Sequence, residues 1–450
     1  MNIKTKNINP LYSVLLCLIV VALLIDLGSG VWFYKKTIAF TIAMLLLLYI
    51  NYKWWLPAIL SLAAYIITEA TKFPRLANHS NLETGVLITI LCIVILKLLG
   101  YKLKKPHSAE ISFILRLILI TIYFIAGFHK LNSGFFMTEG SCIKSVNIFF
   151  SPLLLGDTFI TSPTVLRLMQ ISTILIEMVL PFGLLFAKSR KFVAWALVMF
   201  HFYLSLCNFS NFSAFAGFLI TACILDFSKN NIHFKLIRAL RIYIAFSILS
   251  VIISYIIRRY QLVNSDLYRM CNGVIFNIGW VLFFVTLLKD KDIFDRENNV
   301  IKLSAKQFIP TVVILLWGMQ NYVGLSTTGN LTMFSNLITE KSRTNHYIIN
   351  TRYTKIWNFE EDYVTVLNMT GTHTDRSNLV NYDIPLIEFK FRMKRLIQYR
   401  KDKISCTILY RGQKIYIPDM SKSKFSQTKW WYRFIQYRKI PHDGTNECMW

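Results

Sequence analysis

The chain has 450 residues, 54% of them hydrophobic and only 16% charged, with a mean hydropathy of +0.45. A soluble domain is nearer a quarter charged, so the composition excludes an ordinary soluble protein and points to a polytopic membrane protein. The net charge of +26 does not make it a nucleic-acid binder. Its basic residues are scattered through loops between apolar runs, with no helix-turn-helix, zinc-finger or RNA-binding signature beside them.

Apolar runs of roughly 15–23 residues can cross a bilayer core of ~30 Å as helices. They lie near 11–33, 37–51, 54–69, 84–100, 110–128, 165–187, 191–206, 209–227, 239–257, 271–288 and 308–326. The first, after Lys4 and Lys6, has the look of a secretory signal, but it lacks a small-residue cleavage site and many spans follow it. The pattern predicts an all-α polytopic membrane bundle of about nine to eleven transmembrane helices. With the N-terminus cytoplasmic and eleven spans, the inner segments carry 19 Lys and Arg against 9 on the outer ones, as the positive-inside rule requires.

Residues 1–329 form the membrane domain in this reading. Residues 330–450 differ in kind: they hold 20 Lys and Arg against 11 Asp and Glu. Short alternating stretches there (DYVTVLNM, IEFKFRM, SCTILY and KIYIP) read as strands. A small, basic, mainly β extramembrane domain is expected on the outer side, able to dock an acidic protein or anionic headgroups. The eight cysteines form no CxxC pair, which makes a disulfide framework or a zinc site unexpected. A bridge among Cys142, Cys406 and Cys448 stays open if that side is oxidising.

Candidate site residues come from ionisable groups in or beside apolar runs, where they are costly and usually functional. His129 and Lys130 end the fifth run in YFIAGFHKLNSGFF; two adjacent bases depress each other's proton affinity, which favours a lysine base. Asn78 and His79 lie in KFPRLANHSN, before the fourth run. His201 lies toward the outer end of the seventh, in MFHFYLSLC, and Glu177 in mid-span in ILIEMVLPFG. By the topology His79, Lys130 and His201 reach one membrane face, and Lys130 or His201 can partner Glu177. Each has a bland counterpart: a snorkelling lysine, a loop tether at Asn78–His79, an interhelical bond at His201, a kink before Pro181 at Glu177. Arg116 reads as an ion-pair or backbone-carbonyl anchor, and Asp26, near Gly28 and Gly30, as a helix break.

The stretches YFIAGFHKLNSGFF, SPLLL, ILIEMVLPFGLLFAKSRKF, FHFYLSLCNFSNFSAFAGFLI and LDF, with NHSN upstream, resemble in order and spacing the membrane part of vitamin K-dependent gamma-carboxylase. They also resemble the wider horizontally transferred transmembrane (HTTM) domain family. The resemblance covers about residues 10–290, and the stretch at 324–346 looks like a block of uncharacterised family members.

It implies that Lys130 is the base that deprotonates a reduced vitamin K-type quinone, with His79 and His201 at the family's histidine positions and Glu177 where the family has an aspartate. Oxygen then yields a strongly basic alkoxide that removes a γ-proton from glutamate so that CO2 can add. His129 and Asn78 would lie against the cofactor. This chain departs from the carboxylases in having His129 before Lys130, in Asn132 and Phe135, and in its small extramembrane part. Those departures point away from peptide glutamate carboxylation and leave the membrane site. The expectation is an HTTM-type enzyme using a Lys/His cavity for quinone-linked proton abstraction or redox chemistry. The alternative is a non-catalytic transporter, lipid-binding protein or assembly scaffold.

Overall fold

The computed structural model describes residues 9–29, 34–70, 72–101, 108–147, 162–260, 265–294, 304–340, 343–371, 379–400, 403–444 and 447–448. Lys4, Lys6, Lys102, Lys104, Lys105, Arg296 and Lys302 of the charge count, and the SPLLL block at 151–155, lie outside them.

The molecule is mostly helical, 65%. α1 (Pro10–Ser29) is apolar nearly all round, so it has no polar face to turn outward and runs buried through the bundle. It packs on α2 (Lys35–Ile50), α3 (Trp55–Glu69), α9 (Ser210–Ile224) and α10 (Phe234–Tyr260). Around these stand α4 (Asn78–Leu98), α5 (Ser108–Phe128), α7 (Pro163–Ile174), α8 (Ala187–Leu206), α11 (Ser265–Lys289) and α12 (Ile309–Gly318), with the short α6 (Cys142–Asn147) in the loop after α5. Arg116 inside α5 donates from Nε to the carbonyl of Cys223 at 2.9 Å, the backbone anchor expected of it.

Among the described residues, six helical segments are long and apolar enough to cross a membrane: Pro10–Ser29, Asn78–Leu98, Ala109–Phe128, Pro163–Leu185, Phe234–Tyr260 and Asn272–Lys289. Exposed Ile93, Leu98, Leu175, Val179 and Ile252 give their outer faces the apolar surface that lipid requires. This is the architecture of an integral membrane protein. Fewer helices than the expected nine to eleven combine length with apolarity. α2, α3 and α9 have 16, 15 and 15 residues; at about 1.5 Å per residue each is shorter than a ~30 Å core. α8 has 20 residues but begins with Lys188, Arg190 and Lys191.

Helix ends fall into two sets. At one end Asn9 Nδ2 donates to the carbonyls of Phe227 and Lys229, at 2.8 and 2.9 Å. At the other, the loops following α3, α5 and α8 meet the segment after α12 and, through Arg75, the C-terminal domain that carries a sheet. That sheet is antiparallel, in the order β4-β3-β1-β2-β5, from β1 (Tyr363–Thr370), β2 (Tyr382–Pro385), β3 (Ser405–Tyr410), β4 (Gln413–Ile417) and β5 (Ile440–Pro441). Arg411 and Gly412, both at positive φ, turn β3 into β4, the geometry that matches strand twist in a two-residue hairpin.

Of the four stretches read as strands, IEFKFRM is not one. It lies in α14 (Leu386–Arg400), after the one-turn α13 (Thr351–Thr354) in chain order. Read as far as residue 397, the segment puts Phe389, Met393, Leu396 and Ile397 on one helical stripe against the domain core, a 3.6-residue period that the shorter window hid.

The domain is clamped to the bundle. Arg75, in the loop after α3, pairs with Glu388 at 2.7 Å and donates to the carbonyls of Tyr432 and Ile435. Arg438 holds Glu340 with two bonds of 2.8 and 2.9 Å. Cys142 and Cys448, separated by 306 residues in sequence, form a disulfide, while Cys406 lies buried in β3.

Candidate functional site

Lys130 follows the last turn of α5. Two features of the sequence bring it to Glu177. Gly127 allows close approach: a Cβ there would lie 2.5 Å from Met178 Cγ and 3.0 Å from Glu177 Cβ. Glu177 sits in a π-helical turn, Leu175–Val179, between α7 and the 3-10 turn Leu180–Leu185. Pro181 has no N–H to return to the Glu177 carbonyl four residues back, so regular α-helix cannot run through this point. The Lys130 ammonium lies 2.7 Å from Glu177 Oε2 and donates to the Ala126 carbonyl at 3.2 Å. Both residues are buried. They line a slot of about 60 Å³ whose other walls include Tyr123, Met169, Phe200 and Tyr203.

His79, in the first turn of α4, has a different partner. Its Nε2 lies 3.0 Å from Asp26 Oδ1 and 3.0 Å from Asn211 Nδ2. Asp26 is part of α1 rather than a break in it, and its carboxylate collects donors: the Tyr65 hydroxyl at 2.7 Å, the Ser80 hydroxyl at 3.3 Å, and Asn211 Nδ2 at 3.4 Å. Nε2 can donate to Asp26 or accept from Asn211, but not both at once; in the first tautomer Nδ1 is the ring nitrogen without a hydrogen. His79 lines a larger cavity, about 520 Å³, together with Asn211, Arg258, Asn272, Thr328 and Gln436.

The two cavities adjoin. Phe212, Met333 and Phe334 line both, so His79 and Lys130 lie on opposite sides of a three-residue wall rather than in one pocket. Leu331, Phe334 and Asn336 all have positive φ, a conformation that costs energy for residues other than glycine and concentrates where geometry matters.

The remaining candidates have structural partners. His201 is fully buried, hydrogen-bonded through Nε2 to the Tyr123 hydroxyl, with its ring 5.1 Å from Phe212; it lines neither cavity. His129 is buried and donates from Nδ1 to the Leu331 carbonyl at 3.1 Å. Burial pushes its imidazole down to about 3, with the Lys130 charge a smaller contribution in the same direction, so it stays neutral. Asn78 Oδ1 accepts from the Leu331 N–H at 2.5 Å. His129 and Asn78 thus both hold the strained loop that walls the cavities.

Sequence reasoning missed Asp26, Tyr65, Asn211 and the three wall residues. Asp26 carried a signal, a carboxylate within an apolar run; the aromatic residues carried none. Comparison with protein-family models, with curated proteins and with solved structures gives no match to this chain.

Proposed function

We propose that the chain is an integral membrane enzyme of the HTTM type, similar in its membrane part to vitamin K-dependent gamma-carboxylase, that abstracts a proton from a quinone- or lipid-like ligand. The observation that carries this reading is the placement of two acid–base pairs, Lys130–Glu177 and Asp26–His79, on adjoining cavities beneath the C-terminal domain. The larger cavity, about 520 Å³, is of the size that holds a small-molecule head, and the slot beside it is not. The ligand's head is therefore assigned to the larger cavity.

There His79, oriented by Asp26, is assigned as the general base. Lys130 and Glu177 present a fixed dipole behind the wall, suited to charge developing on the ligand. A bound quinol would supply redox chemistry; the protein's part is to orient it, exclude water and move its proton. The C-terminal domain is assigned to the outer side and the N-terminus to the cytosol. The basic-residue distribution supports this, as does the Cys142–Cys448 disulfide, since such bonds persist in oxidising compartments.

A second reading, a non-catalytic transporter or lipid-binding scaffold, is favoured by one observation: Lys130 is already paired with Glu177, as a structural charge would be. Lipid extraction of the purified protein, with mass spectrometry and a quinol assay, decides between them. The enzyme reading expects a co-purifying quinone, and turnover that His79→Ala removes while ligand binding persists. Recovery of phospholipid alone, with no spectral change on adding quinol, overturns it.

A further inference from the structure

Glu83 stands four residues after His79 on α4, one helical turn further into the bundle, and is fully buried. Its Oε1 has no hydrogen-bond partner. Its Oε2 lies 3.3 Å from the Tyr65 hydroxyl on α3, which is itself 2.7 Å from Asp26 Oδ2. Asp26 Oδ1 lies 3.0 Å from His79 Nε2. Glu83, Tyr65, Asp26 and His79, from three helices, thus form one hydrogen-bonded path with a closed end at Glu83 and an open end at the wall of the larger cavity.

A phenol has one proton to give. Tyr65 gives it to Asp26, so its contact with Glu83 is a hydrogen bond only if Glu83 brings the proton. The charge balance requires the same. Among the described residues, the titratable groups around the Glu83–Tyr65 contact are Asp26 from α1, Glu69 from α3 and His79 on α4 itself. Lys72 is taken by Glu69 at 3.3 Å. Glu83 is fully buried and Asp26 partly so; two carboxylates on one hydroxyl, with no lysine or arginine in an ion pair with either among the described residues, are most stable when they share a proton.

We propose that Glu83 and Asp26 hold one exchangeable proton through Tyr65, and that it passes to and from the larger cavity by way of His79. In the shift, the proton on Glu83 Oε2 moves to the Tyr65 oxygen as the Tyr65 proton moves to Asp26 Oδ2. Asp26 is then the acid and Glu83 the carboxylate, with no change in net charge. With the cavity the proton is exchanged rather than lost: His79 Nδ1 takes one from the cavity as Nε2 passes its own to Asp26 Oδ1, and the reverse movement returns one, so the two carboxylates always keep at least one proton between them. The use made of this proton rests on the proposed function; its storage does not, because no ligand takes part.

The test is infrared difference spectroscopy of the full chain in detergent at neutral pH, in light and heavy water. The wild type is expected to show a protonated-carboxyl stretch that shifts in heavy water, and Glu83→Gln to lose that band by the intensity of one carboxyl. Tyr65→Phe is expected to keep the band but slow its shift by at least an order of magnitude, since the path is cut. A Glu83→Gln spectrum identical to wild type overturns the proposal. Should Glu83→Gln not fold, the comparison of wild type with Tyr65→Phe decides alone, and equal deuteration rates overturn the path. The band is read without quinone, so this result stands apart from whether the protein turns one over.

Discussion

Lys130–Glu177 and Asp26–His79 each pair a nitrogen base with a carboxylate at the same end of one bundle, yet the two surroundings differ. The first is a contact of 2.7 Å in a slot with mainly apolar walls, supplemented by a single backbone carbonyl. The second has a carboxylate shared among an imidazole, a phenol, a serine and an amide, beside a cavity several times larger. A dry pair with few other partners depends on that one contact, and removing either member strands the other. A carboxylate shared among several donors keeps most of them when one is lost. The contrast separates a pair with a single contact from a carboxylate held in a network.

The sharpest way to break that contrast is to remove one charge from the dry pair. Lys130→Ala leaves Glu177 buried and unpartnered, and a loss of about 3–5 kcal/mol is expected in thermal unfolding in detergent. The double variant Lys130→Met with Glu177→Gln should recover most of it, because no charge is then stranded. Equal losses in the single and double variants would show that packing, not charge, is what Lys130 provides.

Next in size is the staple between α6 and the C-terminal segment of the chain. Cys142→Ser removes the disulfide and should cost about 2–4 kcal/mol, with the C-terminal domain becoming protease-sensitive before the helices do. Asp26→Asn comes third, at about 1–3 kcal/mol, because its neutral partners can rearrange around the amide. If Asp26→Asn destabilises the protein as much as Lys130→Ala, the two pairs are alike after all.

The smallest effect expected is an acid one, at the domain clamp. Burial alone would raise the Glu388 carboxyl, but Arg392 and Arg75 outweigh it and hold it below its ordinary value of 4.5. A folded value below the unfolded one means that this contribution is complete above that pH and is lost as pH falls below it. Protection of α14 from hydrogen exchange, taken relative to the intrinsic rate at each pH, should therefore fall under acid conditions, and Glu388→Gln should show the lost protection at neutral pH too. Protection in wild-type α14 that does not change with acid would argue that Arg75 is not the clamp.

Much of this was legible in the sequence for one reason: an ionisable group in an apolar run is conspicuous. That exposed His79, Lys130 and Glu177, and the pairing of Lys130 with Glu177 was among the options it left. Asp26 was equally conspicuous and was misread, since Gly28 beside it suggested a break. In fact the helix continues to Ser29, and Gly28 lies against Val251, where a Cβ would be only 2.8 Å away. Tyr65, Tyr123 and Phe212 could not have been picked out among 22 tyrosines and 34 phenylalanines, because what distinguishes them is which neighbour they meet. The helical period of α14 needed a longer window than the alternation IEFKFRM offered.

Two of the three side chains dividing the cavities, Met333 and Phe334, come from the segment after the last bundle helix. Every ionisable group described here except those of the clamp belongs to the helices or their loops, and yet the chamber around them is finished by chain that arrives two hundred residues later than Lys130. A truncation meant to isolate the bundle would leave the two compartments joined and open to solvent. The two acid–base pairs and most of the partition between them come from distant stretches of chain, and a bundle cut before Met333 would have the pairs without that partition.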